Sequence, residues 1–329
     1  MAATFRKQRP RSGILGPVKT LFLTGGTGFI GAAFVPHALA AGYQVHALTR
    51  RPATLQPWIQ KGVVPVEGDL LTPDAWRDIA ARSDFVMHLA QPETFTRRIT
   101  GARAREYRDL RLRMDTNLLD SLRPGTGQRI CYVGGTSYIG HQGPELKDET
   151  APPNPRGWGP YVAPAIESLR GHLARGLQIV EAFPGAVYGP GSWFGGYVLA
   201  PMKAGKPLIS VKGPLLHTSP IHLEDCARAL LHLMEHGEVG QRYFVVDDRP
   251  ATLADLVQRA AQAMNAPLRV RTVPAWLARL FLGPVIEDSR KAEYRLSNAR
   301  LHATGFAFQF PTFAEGVPDV VKRWQETQR

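Results

Sequence analysis

Thiols are nearly missing from this chain: Cys131 and Cys226 are the only cysteines among 329 residues. That excludes a disulfide-stapled secreted scaffold. One cysteine falls in a predicted buried strand and the other in a predicted helix, so both read as small core residues of a protein kept in a reducing, cytoplasmic setting. Long apolar runs are also absent. The longest, residues 275–285, is broken by Arg279, Gly283 and Pro284, and no membrane span is expected. There are no internal repeats, no low-complexity tracts and no spacing of Cys and His that binds zinc, so no metal site is expected. Acidic residues are short in supply, with 28 Asp and Glu against 40 Lys and Arg and a net charge of +12. Such an excess can serve nucleic acid, an acidic surface or a phosphate-bearing ligand. Here it is scattered in small knots, Arg6-Lys7-Arg9-Arg11, Arg50-Arg51, Arg97-Arg98 and the arginines of 103–113. None is interleaved with the aromatic platform that single-stranded nucleic acid needs, so a small molecule is the expected partner and nucleic acid is not. Residues 1–17 (MAATFRKQRPRSGILGP) read as a disordered basic tail that lacks the apolar core of a signal peptide, with an organelle presequence left open.

What is present centres on residues 20–31, TLFLTGGTGFIG. A short apolar run ends in Thr24, a glycine-rich turn follows, and an Ala-rich stretch with helical spacing begins at Phe29. Strand, glycine turn and helix together are the context in which a glycine pattern points to a dinucleotide. Gly25 permits the sharp exit from the strand. Gly28 has no side chain to keep a pyrophosphate away from backbone N–H groups, and Gly31 lets the helix approach the sheet. The helix N-terminus turns its partial positive charge to the phosphates. About twenty residues on, where an Asp or Glu would bond an NAD ribose, the predicted second strand (44–50) ends in Thr49, Arg50 and Arg51. Arginine there suits the extra phosphate of NADP, so NADP(H) is favoured and NAD(H) stays open. Further strands are predicted at 63–66, 84–90, 129–135, from 177 and at 241–248. Helices are predicted over 102–123, from Tyr161, over 252–264 with Thr252 as cap, and over 275–282. On the 102–123 helix Tyr107, Leu110, Met114, Leu118 and Leu122 form one apolar face, with the arginines on the other.

The spacing Gly25-x-x-Gly28-x-x-Gly31 resembles the extended short-chain dehydrogenase/reductase family, also called the NAD-dependent epimerase/dehydratase family. Later landmarks extend the likeness from about residue 18 to about 321: Gly68-Asp69-Leu70, the His-Leu-Ala of 88–90, PGAVYGPG at 184–191 and HTSPIHLEDCARA at 217–229. The resemblance implies an α/β fold, a Rossmann-type doubly wound parallel sheet over 18–190. Residues 191–329 would be mainly a smaller C-terminal substrate lobe, with about 215–248 returning to the sheet. It implies cofactor contacts from Gly25, Thr27, Gly28, Phe29, Ile30 and Gly31, from Asp69 and Leu70 at the adenine, and from Leu89, Ala90, Pro184 and Val187. Gln91, Trp193 and Phe194 would meet substrate, and His88, His222 and Asp225 would be structural. A homodimer is left open.

The departures are as informative as the matches. Arg111 stands where the family has an Asn. Gly135 replaces a substrate-holding hydroxyl, for which Thr136 and Ser137 are the nearest substitutes. Tyr161 matches the catalytic Tyr, but Ala165 stands in place of the Lys that would lower its pKa. A lone tyrosine is a poor base at neutral pH yet can still donate a hydrogen bond. The expected activity is therefore NADP(H)-dependent reduction of a small, apolar acceptor of conjugated or imine-like character. The alternatives are a non-catalytic NADP(H)-binding protein and, least favoured, an epimerase or dehydratase. Arg50→Ala is expected to weaken NADPH binding roughly 10–100-fold, the worth of a charge-assisted contact, and NADH binding far less. Calorimetry with both dinucleotides checks this, and equal losses would remove the NADP preference.

Overall fold

A computed structural model describes residues 18–93 and 99–328. The predicted basic tail and the Arg97-Arg98 knot lie outside them. The first βα unit is β1 (Thr20–Thr24) and α1 (Phe29–Ala40), followed by β2 (Gln44–Thr49) and β3 (Val64–Glu67). Then come α2 (Trp76–Arg82), β4 (Phe85–His88), α3 (Gly101–Leu119), β5 (Arg129–Val133), α4 (Gly159–Ala174) and β6 (Gln178–Pro184). The last parts are α5 (Leu223–His236), β7 (Arg242–Val245), α6 (Leu253–Ala263) and α7 (Phe313–Glu326). Seven strands form one sheet in the order β7-β6-β5-β4-β1-β2-β3, and every neighbouring pair is parallel. The expected Rossmann-type α/β fold is what the chain adopts. The order reverses between β1 and β4, and the C-terminal ends of those strands flank the crevice where ligands of open α/β sheets bind.

Alternation along the strands feeds both faces of the sheet. Leu21 and Leu23 point into one core with Val45, Met87 and Cys131, over which α1 packs against α5. Phe22 points into the other, with Val86, Ile130 and Tyr132, under α3 and α4. Cys131 and Cys226 are both buried and free. A third apolar cluster gathers Tyr188, Phe194, Leu199, Leu256, Val317 and Trp324. It joins α6 and α7 to the segment after β6, away from the sheet strands. Thr252 caps α6 through a reciprocal pair with Asp255, as its position suggested. Among the described residues no helix is long and apolar enough to cross a membrane.

Two expectations need correction. The helix expected over 102–123 ends at Leu119, because 120–128 is a turn rich in Gly, Pro and Ser. Its arginines do not all lie on the outer face. Arg111 and Asp115 are buried in the same stripe as Tyr107, Met114 and Leu118, since an Arg–Asp pair one turn apart can enter an interior once each neutralises the other.

Asp225 at the start of α5 docks the C-terminal segment. Its buried carboxylate accepts from the backbone N–H groups of Gln309 (2.9 Å) and Phe310 (2.7 Å) and from the Arg228 guanidinium (2.6 Å). Asp225→Ala leaves those donors without a buried acceptor and should cost roughly 2–4 kcal/mol. A urea-denaturation midpoint that does not move would contradict this.

Candidate active site

The glycine turn is built for close approach. Gly25 takes a positive φ of +73°, and a Cβ added there would stand 2.6 Å from the Ala90 backbone nitrogen. β1 therefore leaves the sheet directly against Leu89 and Ala90. At Gly31 an added Cβ would run into the Gly25 carbonyl oxygen and the Gly26 backbone. Gly28 differs: its only close neighbour would be the Gly25 oxygen at 3.2 Å, and the rest of that space is open. It caps α1 with no side-chain hydrogen bond, and the first turn of α1 carries no acid. The leading N–H groups around Thr27, Phe29 and Ile30 so form a cradle that a side chain would fill, which fits a dinucleotide pyrophosphate. Phe29 packs its ring against Gly189 and Gly191 of the turn after β6, which ties the cradle to the stretch beginning at Pro184.

The other expected cofactor residues are spread along the sheet edge. Arg50 and Arg51 lie exposed at the end of β2, and Arg50 reaches Glu93 at 3.1 Å. The Asp69 carboxylate accepts from the Leu71 N–H within its own turn (2.9 Å). Leu70 is buried, and its carbonyl oxygen accepts from the Asn117 amide at 2.7 Å. Pro184 is buried, with its carbonyl oxygen accepting from Thr136 N–H (3.2 Å), while Val187 accepts from the Trp193 indole (3.1 Å). Phe194 is wholly buried in the lobe cluster, and offers no surface to a ligand there.

Beside the cradle a polar chain runs through the interior. Ala90 N–H donates to Thr24 Oγ1 (3.2 Å), and that hydroxyl contacts His88 Nδ1 (2.7 Å). His88 Nε2 lies 2.8 Å from Asp115 Oδ1. Because Thr24 already accepts from Ala90, its proton points to Nδ1, and the neutral Nε2–H tautomer donates to Asp115. Burial pushes the His88 pKa down, partly opposed by Asp115. Asp115 also accepts from Arg111 Nε (2.7 and 2.9 Å) and from the Tyr132 hydroxyl. Burial alone would raise the Asp115 carboxyl, but the Arg111 charge and the donors of His88 and Tyr132 outweigh it and hold it low. Arg111 Nη2 further donates to the Val133 carbonyl (3.2 Å).

Arg111 and Tyr132 of this network help to line a cavity of about 200 Å³ between α3 and α4. Tyr107 and Arg111 enter from α3; Tyr132, Gly134, Gly135 and Ser137 from β5 and its turn; Trp158, Val162 and Ile166 from the start of α4; and Gln91 from the loop after β4. The Tyr107 hydroxyl donates to Gln91 (3.2 Å). A wider groove of about 710 Å³ along α6, lined by Gln258, Asn265 and Leu268 among others, is open to solvent and contains none of the expected site residues.

Of the three residues expected to be catalytic, the structure brings Ser137 to the cavity; Thr136 and Tyr161 are not part of its lining. α4 turns Val162 and Ile166, four residues apart, toward the cavity, so Tyr161 and Ala165 are each rotated by one residue onto another face. The Tyr161 hydroxyl instead lies near Gly101, where an added Cβ would be 3.9 Å away, and its ring packs by Trp158 at 6.1 Å. Ala165 is buried. Sequence reasoning did not single out Arg111, Tyr132 and Trp158 as cavity-lining residues, nor Asp115 as the partner of Arg111. The signal was there for one pair: opposite charges four residues apart inside an apolar stripe, at the position where the family carries an Asn.

The description "NAD dependent epimerase/dehydratase family" fits residues 21–246. The chain belongs to that family. It is, with that membership, an NAD(P)-dependent oxidoreductase of the short-chain dehydrogenase/reductase type, as its glycine turn implied. One curated relative is a 4-hydroxy-2-methyl-3-oxo-4-farnesyl-3,4-dihydroquinoline-1-oxide ketoreductase of Stigmatella aurantiaca, 24% identical over 78% of this chain and 77% of its own. Among solved structures, the human epimerase family protein SDR39U1 with NADPH has a TM-score of 0.75 at 21% identity, covering 92% of this chain and 99% of that one. A dTDP-glucose 4,6-dehydratase of Bacillus anthracis with NAD has a TM-score of 0.77 at 16% identity, covering 94% and 98%. Family members in this fold so carry either dinucleotide.

Gly28 has an extended backbone, with φ −76° and ψ 173°, that accepts a branched side chain. Gly28→Val should therefore keep the fold and abolish dinucleotide binding, whereas Gly31→Val should disrupt the turn itself. Calorimetry alongside thermal melting separates the two, and NADPH binding by folded Gly28→Val would show that the phosphates bind elsewhere.

Proposed function

We propose that the protein is an NADPH-dependent reductase of a small, apolar organic acceptor, with the cavity between α3 and α4 receiving the acceptor's polar end. The observation that carries this reading is the buried Arg111 cation set among Trp158, Val162 and Ile166. When bound, the dinucleotide supplies hydride; this chain's residues bind, orient and polarise. The cradle at Gly28 holds the phosphates, and Arg50 reads the 2′-phosphate that distinguishes NADPH. Arg111, fixed by Asp115 and Val133, presents a guanidinium edge to an oxygen or nitrogen that gains negative charge during reduction. Its charge is already balanced by Asp115, which suits an acceptor that arrives neutral. The apolar residues match the uncharged body of such a substrate, and the farnesyl-bearing substrate in the name of the Stigmatella ketoreductase supports the same class. Tyr161 then has no obligatory relay role, in keeping with the absence of a lysine at 165.

The test is a screen of ketone, conjugated and imine acceptors, followed by nicotinamide absorbance. Tyr161→Phe should cost at most about 10²-fold. The double variant Arg111→Met/Asp115→Asn, which removes both charges together, should cost roughly 10²–10³-fold in kcat while NADPH affinity stays unchanged. The pH profile gives an independent check. His88 is held below its ordinary pKa and remains neutral, while burial raises Tyr107 and Tyr132 so that they stay protonated. No cavity group then titrates from about pH 7 to about 9, and kcat/KM should be flat across that range. A steep rise on an alkaline limb, together with an inactive Tyr161→Phe, would mean that a phenolate base operates after all.

A further inference from the structure

The helix Ala275–Leu282 is turned inside out. Ala278 is its buried side chain, whereas Trp276, Leu280 and Phe281 are 65%, 54% and 72% exposed. At about 100° per residue these three share one side of the helix, with Arg279 flanking them. A surface helix ordinarily buries that sector. The strand pair leading into the helix, Leu208–Val211 with Val270–Val273, behaves likewise. Ile209 is exposed there, and exposed Arg271 stands opposite it in register on the same face.

The charge around this surface is mainly positive. Residues 191–223 and 260–286 contain Lys203, Lys206, Lys212, Arg269, Arg271 and Arg279 and no Asp or Glu, and in the helix that follows Asp288 accepts from the Gly157 N–H and pairs with Lys291. All six cations are exposed. The helix end is also joined to the cavity wall. Ile99 N–H donates to the Leu282 carbonyl (3.2 Å), Gly283 packs its backbone on Ile99, and Ile99 and Val285 cluster with Tyr107 and Trp158.

We propose that this helix and strand pair dock the protein on an anionic membrane surface. Trp276, Leu280 and Phe281 enter the boundary between headgroups and acyl chains, and the surrounding cations meet the negative headgroups. A second copy of the chain is the less suited occupant, because a two-fold contact through this patch would set cations against cations. Docked in this way, the apolar helix places the membrane beside the cavity that holds Trp158. The short helix makes the attachment reversible.

Co-sedimentation of the full chain with phosphatidylcholine vesicles, with and without added phosphatidylglycerol, tests this without any turnover. The expected result is binding to the phosphatidylglycerol vesicles that weakens with salt. Trp276→Ser/Phe281→Ser should lower it by about tenfold or more, and Arg271→Glu/Arg279→Glu should lower it as well. These side chains are exposed, so circular dichroism should show all variants folded. Failure to bind the anionic vesicles would overturn the proposal, as would equal binding by the Trp276→Ser/Phe281→Ser variant. Light scattering that shows a dimer broken by that variant would overturn it too, by assigning the patch to self-association.

Discussion

The Asp115 carboxylate is the interaction on which the site depends. It is fully buried, and it collects hydrogen bonds from His88 on β4, Arg111 one turn earlier on α3, and Tyr132 on β5. His88 carries the connection to Thr24 at the end of β1. One anion thus fixes the relative positions of three strand ends and a helix. Burying two charges is expensive, and removing one partner of such a pair leaves the other stranded, typically at about 3–5 kcal/mol. The return on that cost is rigidity: Arg111 has one edge on Asp115 and another on the Val133 carbonyl, so its position in the cavity wall is set before any ligand arrives.

The two halves of the site obey different rules. The cradle is made of backbone, and its requirements are negative: no side chain at Gly25, Gly28 or Gly31, and no acid in the first turn of α1. Such a site tolerates wide change elsewhere, which is why structures at 16–21% identity superimpose over more than nine-tenths of the chain. The cavity end is made of side chains, and there this chain departs from its family. A lysine is missing from α4, and an arginine has entered from α3. The cation faces the cavity from the opposite wall, beside an apolar surface formed by Val162 and Ile166.

Much of this was readable from residues in a row. The strands of the sheet, the glycine turn, the Thr252 cap and the family itself follow from local patterns: short apolar runs, glycine spacing and a capping pair three residues apart. Tyr161 shows what local reading leaves open. Tyr-x-x-x-Lys spacing counts residues along a helix, and packing decides which of them line the cavity: Val162 and Ile166 do, while Tyr161 packs beside Trp158. Phe194 shows a related limit in the helical turn after β6. Its aromatic character fits a substrate lining, yet Tyr188, Trp193 and the third core enclose it completely.

The sequence by itself pointed to the parallel α/β sheet, the dinucleotide cradle and the family, because each is announced by local patterns of apolar runs and glycine spacing, although the strand pairs themselves join residues as far apart as Leu21 and Phe85. Only the tertiary structure decided which side chains face the cavity. His88, Asp115 and Tyr132 come from three separate elements, and their partnership exists only once β1, β4 and β5 lie side by side beneath α3. The same holds for Arg111. Its charge reads as a solvated surface group until packing supplies the buried carboxylate that makes an interior guanidinium affordable.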